Sequence, residues 1–401
     1  MDINFNVGKN SLNNHSKKED VKTTPPKKNS NKSTNDMKKK MVLFMAVVTI
    51  GIIALLLIAF VISIIAPRTY SYDDLEQEIK ESAIAYFKDH KKSLPTTEDQ
   101  IVEITTSTLV AEEYMKDLSE YTQEGVTCTG KVQVEKAGND YLYSPYLNCG
   151  EEYTTEELYK VITKSSNIVT SGYGLYSKNG SYVYRGEEVN NYVKLDEAVW
   201  RIVKVTADNN IVLIKEEEAG QPLSWDNRYN SEKGYSSGIN IYSASRIKEE
   251  LNRIYKSNEK DEIFLSKEDK TKLLSYNVCA GKRSLTDQGT ENTTECSSVV
   301  QDQKVGLLTA SDYMAASVDE GCITTGSPSC QNYNYLTSGY DWWLVTAGTT
   351  GSDQVYYIDD QGSIELDIAT GYASIRPVIQ LNSKVLYKSG KGTKSKPYKI
   401  K

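Results

Sequence analysis

The segment 41–66, MVLFMAVVTIGIIALLLIAFVISIIA, constrains this chain most, because its 26 residues carry no charged side chain. As a helix it would reach about 39 Å, enough for a bilayer core of about 30 Å even when tilted. The helices of a soluble core are rarely uncharged over such a length. We therefore predict a single transmembrane helix over residues 41–66, with the lipid bilayer as its partner.

The charges around this segment predict its direction. The first 40 residues hold ten lysines and four acids, and three of these lysines, at positions 38–40, directly precede the apolar run. Only Arg68 lies close on the other side. The positive-inside rule then places the amino terminus in the cytoplasm and the bulk of the chain outside the cell. Residues 1–40, rich in Lys, Asn, Ser and Thr, are predicted to be a disordered cytoplasmic tail.

A cleaved signal peptide is the alternative interpretation of the apolar run. Such a peptide normally has an apolar region of about 7–15 residues and ends in a small-x-small cleavage site. The run here is longer, and Ile64-Ile65-Ala66-Pro67 is a poor site. We therefore expect an uncleaved anchor in the cell membrane. The residues after position 40 carry 37 basic and 50 acidic groups, and this acidic balance argues against nucleic acid as a partner.

All six cysteines follow the apolar segment, which suits an oxidising exterior and predicts three disulfides. Alternating apolar residues on both sides of Gly138-Asn139 predict a hairpin whose turn lies midway between Cys128 and Cys149. These two cysteines therefore face each other across the hairpin. Nearest-neighbour pairing of the other four gives Cys279–Cys296 and Cys322–Cys330.

A zinc site is the competing use of these cysteines. The sequence has no CxxC motif, and its only histidines are His15 and His90. Zinc sites normally combine closely spaced Cys and His ligands. The sequence therefore predicts no metal site and no cofactor.

Two helices and the hairpin form a predicted membrane-proximal module over residues 67–155. Apolar residues recur every four positions from Leu75 to Phe87, which predicts a helix over 73–91. A shorter helix follows Thr105-Thr106.

A larger α+β domain is predicted over residues 171–401. It opens with a hairpin turning at Asn179-Gly180. Further hairpins are predicted across 207–210 and 359–362, a helix over 245–255, short helices capped by Ser266 and Thr309, and a closing strand over 374–381.

Residues 171–401 resemble an uncharacterised domain family of surface proteins in Gram-positive and related bacteria. The matching motifs are Tyr182-Val-Tyr-Arg-Gly, Trp200-Arg-Ile-Val, Val305-Gly-Leu-Leu-Thr-Ala-Ser-Asp312, Asp341-Trp-Trp343-Leu and Ser374-Ile-Arg-Pro-Val378. The resemblance implies a C-type-lectin-like fold, related also to formylglycine-generating enzymes, and a surface role. It implies no particular ligand.

Neither functional branch of that wider fold matches well. The oxidase branch needs a reactive cysteine pair near the closing strand, where this chain has Ile375-Arg376-Pro377. The calcium-lectin branch uses Gln-Pro-Asp and Trp-Asn-Asp elements, and Gln221-Pro222-Leu223 with Trp225-Asp226-Asn227 departs from both. Asp359-Asp360 offers carboxylates of the kind that calcium prefers, but a plain hairpin turn explains them better.

Catalysis has little support in the sequence. No histidine lies beyond His90, which removes the usual general base. A hydrolase using two carboxylates stays open, with Asp312, Asp341 and Asp359 as candidates. We predict that the protein is not an enzyme.

Binding has more support, since the chain holds 29 tyrosines against 5 phenylalanines. Tyrosine rings suit sugar faces and protein interfaces, although a compositional bias toward Tyr, Asn, Lys and Ile would also raise their number. The densest aromatic cluster begins at Tyr333 and ends at Trp343. The candidate ligand-binding residues lie in it: Tyr335, Tyr340, Asp341, Trp342 and Trp343. Adjacent strand residues face opposite ways, so we expect one tryptophan in the core and the other exposed.

Two functional hypotheses follow from these features. The first is a membrane-anchored, adhesin-like binding protein with a lectin-fold head, whose ligand is a surface glycan or protein. The second is a structural or envelope-assembly protein that binds other proteins. Binding of glycans to the extracellular part would separate the two.

Overall fold

The computed structural model describes residues 33–65, 70–98, 100–228, 237–257 and 265–401. Most of the predicted cytoplasmic tail, residues 1–32, lies outside these ranges. The chain forms two compact units, Met1–Arg68 and Thr69–Lys401.

The first unit contains helix α1, Ser33–Ile65. Within it, Asp36–Leu57 is the only stretch of the described chain that is long and apolar enough to cross a membrane. All its side chains are exposed. This helix is a candidate membrane anchor, and the apolar part begins within a helix that already includes the three lysines at 38–40.

The second unit begins with the helix-and-hairpin module. Its elements are α2 Tyr72–Asp89, β1 Ile101–Thr105, α3 Thr106–Ala111, β2 Thr129–Ala137 and β3 Asp140–Asn148. Ser71 starts α2 because its side chain accepts a hydrogen bond from the Asp74 backbone N–H and the Asp74 carboxylate binds back to Ser71. Thr105 caps α3 in the same position.

The three strands form an antiparallel sheet in the order β1-β2-β3, and α2 packs its apolar face on it. Leu75, Ile79 and Phe87 meet Val132 and Val134 in a small core. The hairpin turns between Ala137 and Asp140, which pair in register.

The larger part of this unit has its own core, formed by residues from Leu158 to Ile400. It begins with α4 Leu158–Ile162 and a six-strand path in the order β17-β8-β7-β6-β19-β18; β5 pairs with β7, and β4 pairs with β5. The strands of this sheet are β4 Gly174–Lys178, β5 Ser181–Arg185, β6 Tyr192–Leu195, β7 Ala198–Val205, β8 Ile211–Lys215, β17 Val378–Leu381, β18 Tyr387–Ser389 and β19 Tyr398–Ile400.

A second sheet has the order β11-β13-β14-β15, and two strand pairs, β9 with β16 and β10 with β12, complete the fold. Their bounds are β9 Leu223–Ser224, β10 Tyr276–Cys279, β11 Lys282–Arg283, β12 Val299–Gln303, β13 Trp342–Gly348, β14 Gln354–Ile358, β15 Ile364–Ile368 and β16 Tyr372–Ala373. Three helices lie between the strands: α5 Arg246–Lys256, α6 Lys267–Thr271 and α7 Ala310–Ala316.

The mixed α+β class is therefore confirmed, and so are the predicted hairpins and helix caps. Ser266 and Thr309 accept the backbone N–H bonds that start α6 and α7. The closing strand is shorter than predicted. It begins at Val378 rather than at Ser374, because Pro377 has no N–H to join a ladder.

Three disulfides link the predicted pairs, Cys128–Cys149, Cys279–Cys296 and Cys322–Cys330. The Cys128–Cys149 bridge lies at the base of a hairpin. The other two each close a short loop in a part of the chain with little regular structure. No cysteine in the described ranges is free.

A buried ion pair fixes the loops that follow β11. Arg283 and Glu295 are both fully buried, with Nη1 and Oε2 3.4 Å apart. Arg283 also donates to the carbonyl oxygens of Asp287 and Gly289, at 2.8 and 2.6 Å, and to Ser311 Oγ at 2.7 Å. The guanidinium therefore holds three separate chain segments together.

We expect Glu295→Gln to lower the free energy of unfolding by about 3–5 kcal/mol, because it leaves the buried Arg283 charge unpaired. Denaturant unfolding of the full chain in detergent measures this change. Glu120→Gln is the control, since Glu120 pairs with Lys116 at 2.9 Å on the surface and its loss should cost less than about 1 kcal/mol. Equal losses of stability in the two variants would contradict the conclusion that Glu295 neutralises a buried charge.

Candidate functional site

The aromatic cluster predicted to bind ligand lies largely inside the core. Trp342 and Trp343 are 0 % and 1 % exposed, and Tyr335 is 6 % exposed. Asp341 is exposed and Tyr340 is half-buried. The expectation that one tryptophan faces solvent is therefore wrong, while ligand binding at Tyr340 and Asp341 stays a prediction.

Both tryptophans are buried because both faces of β13 are covered. Trp342 packs edge-on against Tyr313, with ring centroids 5.9 Å apart, and the Arg376 guanidinium lies 4.9 Å from its ring. On the opposite face, Trp343 donates from Nε1 to the Leu223 carbonyl oxygen at 2.8 Å, so the β9–β16 pair shields it.

Tyr335 belongs to a buried charged cluster behind these rings. The Arg201 guanidinium lies 3.9 Å from the Tyr192 ring and 4.8 Å from the Tyr335 ring. Arg201 and Arg376 share the carboxylate of Glu216, at 3.3 and 3.8 Å. Arg376 is therefore a structural ion-pair former, as its position before Pro377 suggests. Burial raises the pKa of the Tyr335 hydroxyl far above its usual range.

An exposed pair of tyrosines lies on a different part of the surface. Tyr173, just before β4, is 41 % exposed, and Tyr333, just before Tyr335, is 51 % exposed. Their ring centroids are 6.0 Å apart and their planes differ by 37°. Exposed aromatic residues that contact each other present one continuous surface of ring carbons with hydroxyl groups at its edge. We call these two residues the tyrosine pair.

The backbone fixes both rings of the tyrosine pair. Tyr173 lies across Gly186, where an added Cβ would come within 2.5 Å of the ring carbon Cδ1. Gly186 also has φ +113°, which disfavours any other residue. Its carbonyl oxygen accepts from the Tyr335 N–H at 2.9 Å, joining the two segments.

Tyr333 has φ +48°, an uncommon value for an aromatic residue. The residues around it hold that conformation. The Asn334 side chain donates to the carbonyl oxygens of Tyr313 and Cys330, both at 3.0 Å, and Cys330 is bonded to Cys322. Backbone strain of this kind persists only where surrounding contacts enforce it, and it is common at binding sites.

Polar groups surround the tyrosine pair. Glu187 and Glu188 follow Gly186 and are exposed. Burial raises the pKa of the Tyr173 hydroxyl, and the nearby Glu187 carboxylate raises it further. The Asn332 amide, next to Tyr333, donates to Asp319 at 2.8 Å. Hydroxyl, carboxylate and amide groups beside aromatic rings are the usual chemistry of a polar, ring-stacking ligand site.

A second surface feature is a charged cleft of about 1360 Å³. It lies between the two cores of Thr69–Lys401 and is lined by α2, β3, β6, α6 and the last two strands. Its walls carry eight lysines and eight acidic residues together with apolar side chains such as Ile84, Leu142 and Leu386. We call this feature the cleft.

Two of the three acids proposed for a hydrolase, Asp312 and Asp359, have structural partners. Asp312 pairs with Lys204 at 2.6 Å at the start of α7. Asp359 Oδ1 accepts from the backbone N–H groups of Gln361 and Ser363, at 2.9 and 2.7 Å, and so holds the hairpin turn. Among the described residues, no three His, Cys, Asp or Glu side chains are placed to hold a metal ion.

Comparisons with protein-family models, curated proteins and solved structures found no match to this chain. The site must therefore be interpreted from its own geometry.

Sequence reasoning missed Tyr173, which lies outside the dense aromatic cluster. A signal was present, because Tyr173 stands between Gly172 and Gly174 in a predicted loop. Glycine neighbours have no side chains that could cover an aromatic ring between them. Tyr333, by contrast, belongs to the densest aromatic cluster. Its exposure could not be predicted, because it depends on the positive φ of Tyr333.

Alanine substitutions should lower the free energy of unfolding more at a buried ring than at an exposed one. We expect Trp343→Ala to lower the free energy of unfolding by about 3–5 kcal/mol, because it leaves a large cavity. Tyr333→Ala should change it by less than about 1 kcal/mol, since that ring is half exposed. Chemical unfolding followed by tryptophan fluorescence measures both. A large loss with Tyr333→Ala would show that this tyrosine is a core residue instead.

Proposed function

We propose that this chain is a membrane-anchored extracellular binding protein, and that the tyrosine pair contacts a glycan. The single observation that carries the proposal is the exposed contact between Tyr173 and Tyr333, preset by Gly186 and by the loop that the Cys322–Cys330 disulfide closes. A rigid aromatic surface loses little conformational entropy on binding, and this favours affinity for a flexible sugar.

The location outside the cell is part of the proposal. A candidate membrane helix and three disulfides support it, because disulfides form and persist in oxidising compartments. Ten lysines in the first 40 residues support a cytoplasmic amino terminus.

The C-type-lectin-like fold also belongs to the proposal. Two mixed sheets built mostly of antiparallel hairpins, with few helices and with disulfide-closed loops, are compatible with it. The motifs from Tyr182 to Val378 resemble those of bacterial surface proteins. We propose binding rather than catalysis, since Asp312 and Asp359 serve structural roles.

Glycan-array binding of the full chain in detergent tests the proposal. We expect saturable binding to at least one glycan, and a loss of about tenfold in affinity with Tyr173→Ala or Tyr333→Ala, the effect of about 1.4 kcal/mol. Gly186→Ala should reduce binding as well, because its Cβ would displace the Tyr173 ring.

Tyr372→Ala is the matched control, because Tyr372 is 74 % exposed and lies on β16, outside the pair. It should leave binding unchanged. Equal losses with Tyr372→Ala would point to nonspecific aromatic contacts. If no glycan binds and crosslinking captures a stable protein partner instead, the envelope-assembly hypothesis replaces this one.

Epitope tags at Met1 and after Lys401 test the orientation in intact cells. We expect antibody to label the carboxyl-terminal tag without permeabilisation and the amino-terminal tag only after it, because of the lysine-rich tail. Fluorescence of labelled cells measures both. Labelling of the amino-terminal tag in unpermeabilised cells would reverse the orientation.

A further inference from the structure

Four of the eight lysines that line the cleft, Lys80, Lys267, Lys272 and Lys401, form ion pairs with its acids. Each of the eight acidic side chains has a partner among the described residues. Lys401 pairs with Asp73 at 2.8 Å and also with Glu76, and Lys267 pairs with Asp140 at 3.0 Å. Five of the eight acids are thus ion-paired with lysines of the cleft itself.

Four other lysines of the cleft form no ion pair with a described residue: Lys194, Lys384, Lys388 and Lys399. Asp74, whose charge interacts with that of Lys388, already accepts from the Ser71 N–H and Oγ at 3.0 and 2.7 Å. The unsatisfied hydrogen-bond donors of the cleft are therefore positively charged.

Three of these lysines lie side by side on the outer face of the larger sheet. Lys194 on β6 and Lys399 on β19 are register partners, so their side chains leave the same face. Their strand neighbours Val193 and Tyr398 point into the core. Lys388 on the next strand, β18, follows Tyr387, which packs against that core. Like charges on adjacent strands repel each other unless an anion lies between them.

The same end of the chain extends this positive surface. Residues 368–401 carry eight basic side chains and no acid. Lys391, Lys394 and Lys396, in the loop between β18 and β19, are exposed and also lack an ion pair with a described residue. We call these seven unpaired lysines, from the cleft and the loop, the lysine surface.

We propose that the lysine surface binds a polymer that carries phosphate groups. A single phosphate ion would need a compact, enclosed site, whereas six of these lysines are exposed and Lys384 is half-buried. The seven are spread over three strands about 4.8 Å apart, the turn before β18 and the loop after it. The lysine ammonium binds phosphate as a point charge with rotatable donors, which suits a repeating ligand. This surface shares no residue with the tyrosine pair, so the proposal does not depend on glycan binding.

Binding of long-chain inorganic polyphosphate to the full chain in nanodiscs of zwitterionic lipid tests the proposal. We expect the triple variant Lys194→Gln, Lys388→Gln and Lys399→Gln to bind about tenfold more weakly, because each lost charge contact weakens binding a few-fold. The control is Lys92→Gln, Lys116→Gln and Lys256→Gln, which removes three exposed lysines elsewhere and should bind like the wild type. Affinity of the wild type should fall steeply with salt.

Several outcomes would overturn the proposal. Equal losses in the two triple variants would show a response to net charge only. Competition by orthophosphate as strong as by polyphosphate would indicate a single-ion site, and equal competition by polyglutamate would exclude phosphate recognition. Binding to vesicles of anionic phospholipid without binding to polyphosphate would assign the surface to lipid. Circular dichroism of each variant checks that it is folded.

Discussion

The larger core depends on neutralising the positive charges that it buries. Arg201, Arg283 and Arg376 are all at most 4 % exposed, and an unpaired ion in such a place would cost several kcal/mol. Glu295 neutralises Arg283, and Glu216 neutralises both Arg201 and Arg376. Since each guanidinium also donates to backbone carbonyls or stacks on a ring, long loops are held by polar contacts where strands are short.

These contacts explain why a chain with many two- and three-residue strands can still present fixed surfaces. Arg376 donates to the carbonyl oxygens of Lys215 and Leu336, at 3.1 and 2.8 Å, and so ties the larger sheet to the segment that follows the tyrosine pair. The pair is therefore supported by the core even though its rings are exposed. The lysine surface has a different origin, because alternation along β6 and β19 places lysines outside while their neighbours are buried.

Local signals in the sequence predicted the local structure well. Thr105, Ser266 and Thr309 start helices, Asn179-Gly180 turns a hairpin, and the midpoint of Cys128 and Cys149 marks another. Each of these features depends on a few neighbouring residues. The burial of both Trp342 and Trp343 could not be predicted in this way, because it depends on which distant segments cover each face of β13. The tyrosine pair likewise joins residues 160 positions apart, which one sequence without an alignment does not reveal.

Under the proposed function the chain is held in a membrane and bound at its far end, and its backbone then carries tension. The Cys128–Cys149 disulfide closes the hairpin at its base and joins cysteines separated by 21 positions in the sequence. Force therefore passes through the covalent bridge and bypasses the strands β2 and β3. A pull that would otherwise lengthen the tether by about 70 Å, at about 3.4 Å per residue, leaves this hairpin folded. Such a bridge would make the reach of the tether depend on the redox state of its surroundings.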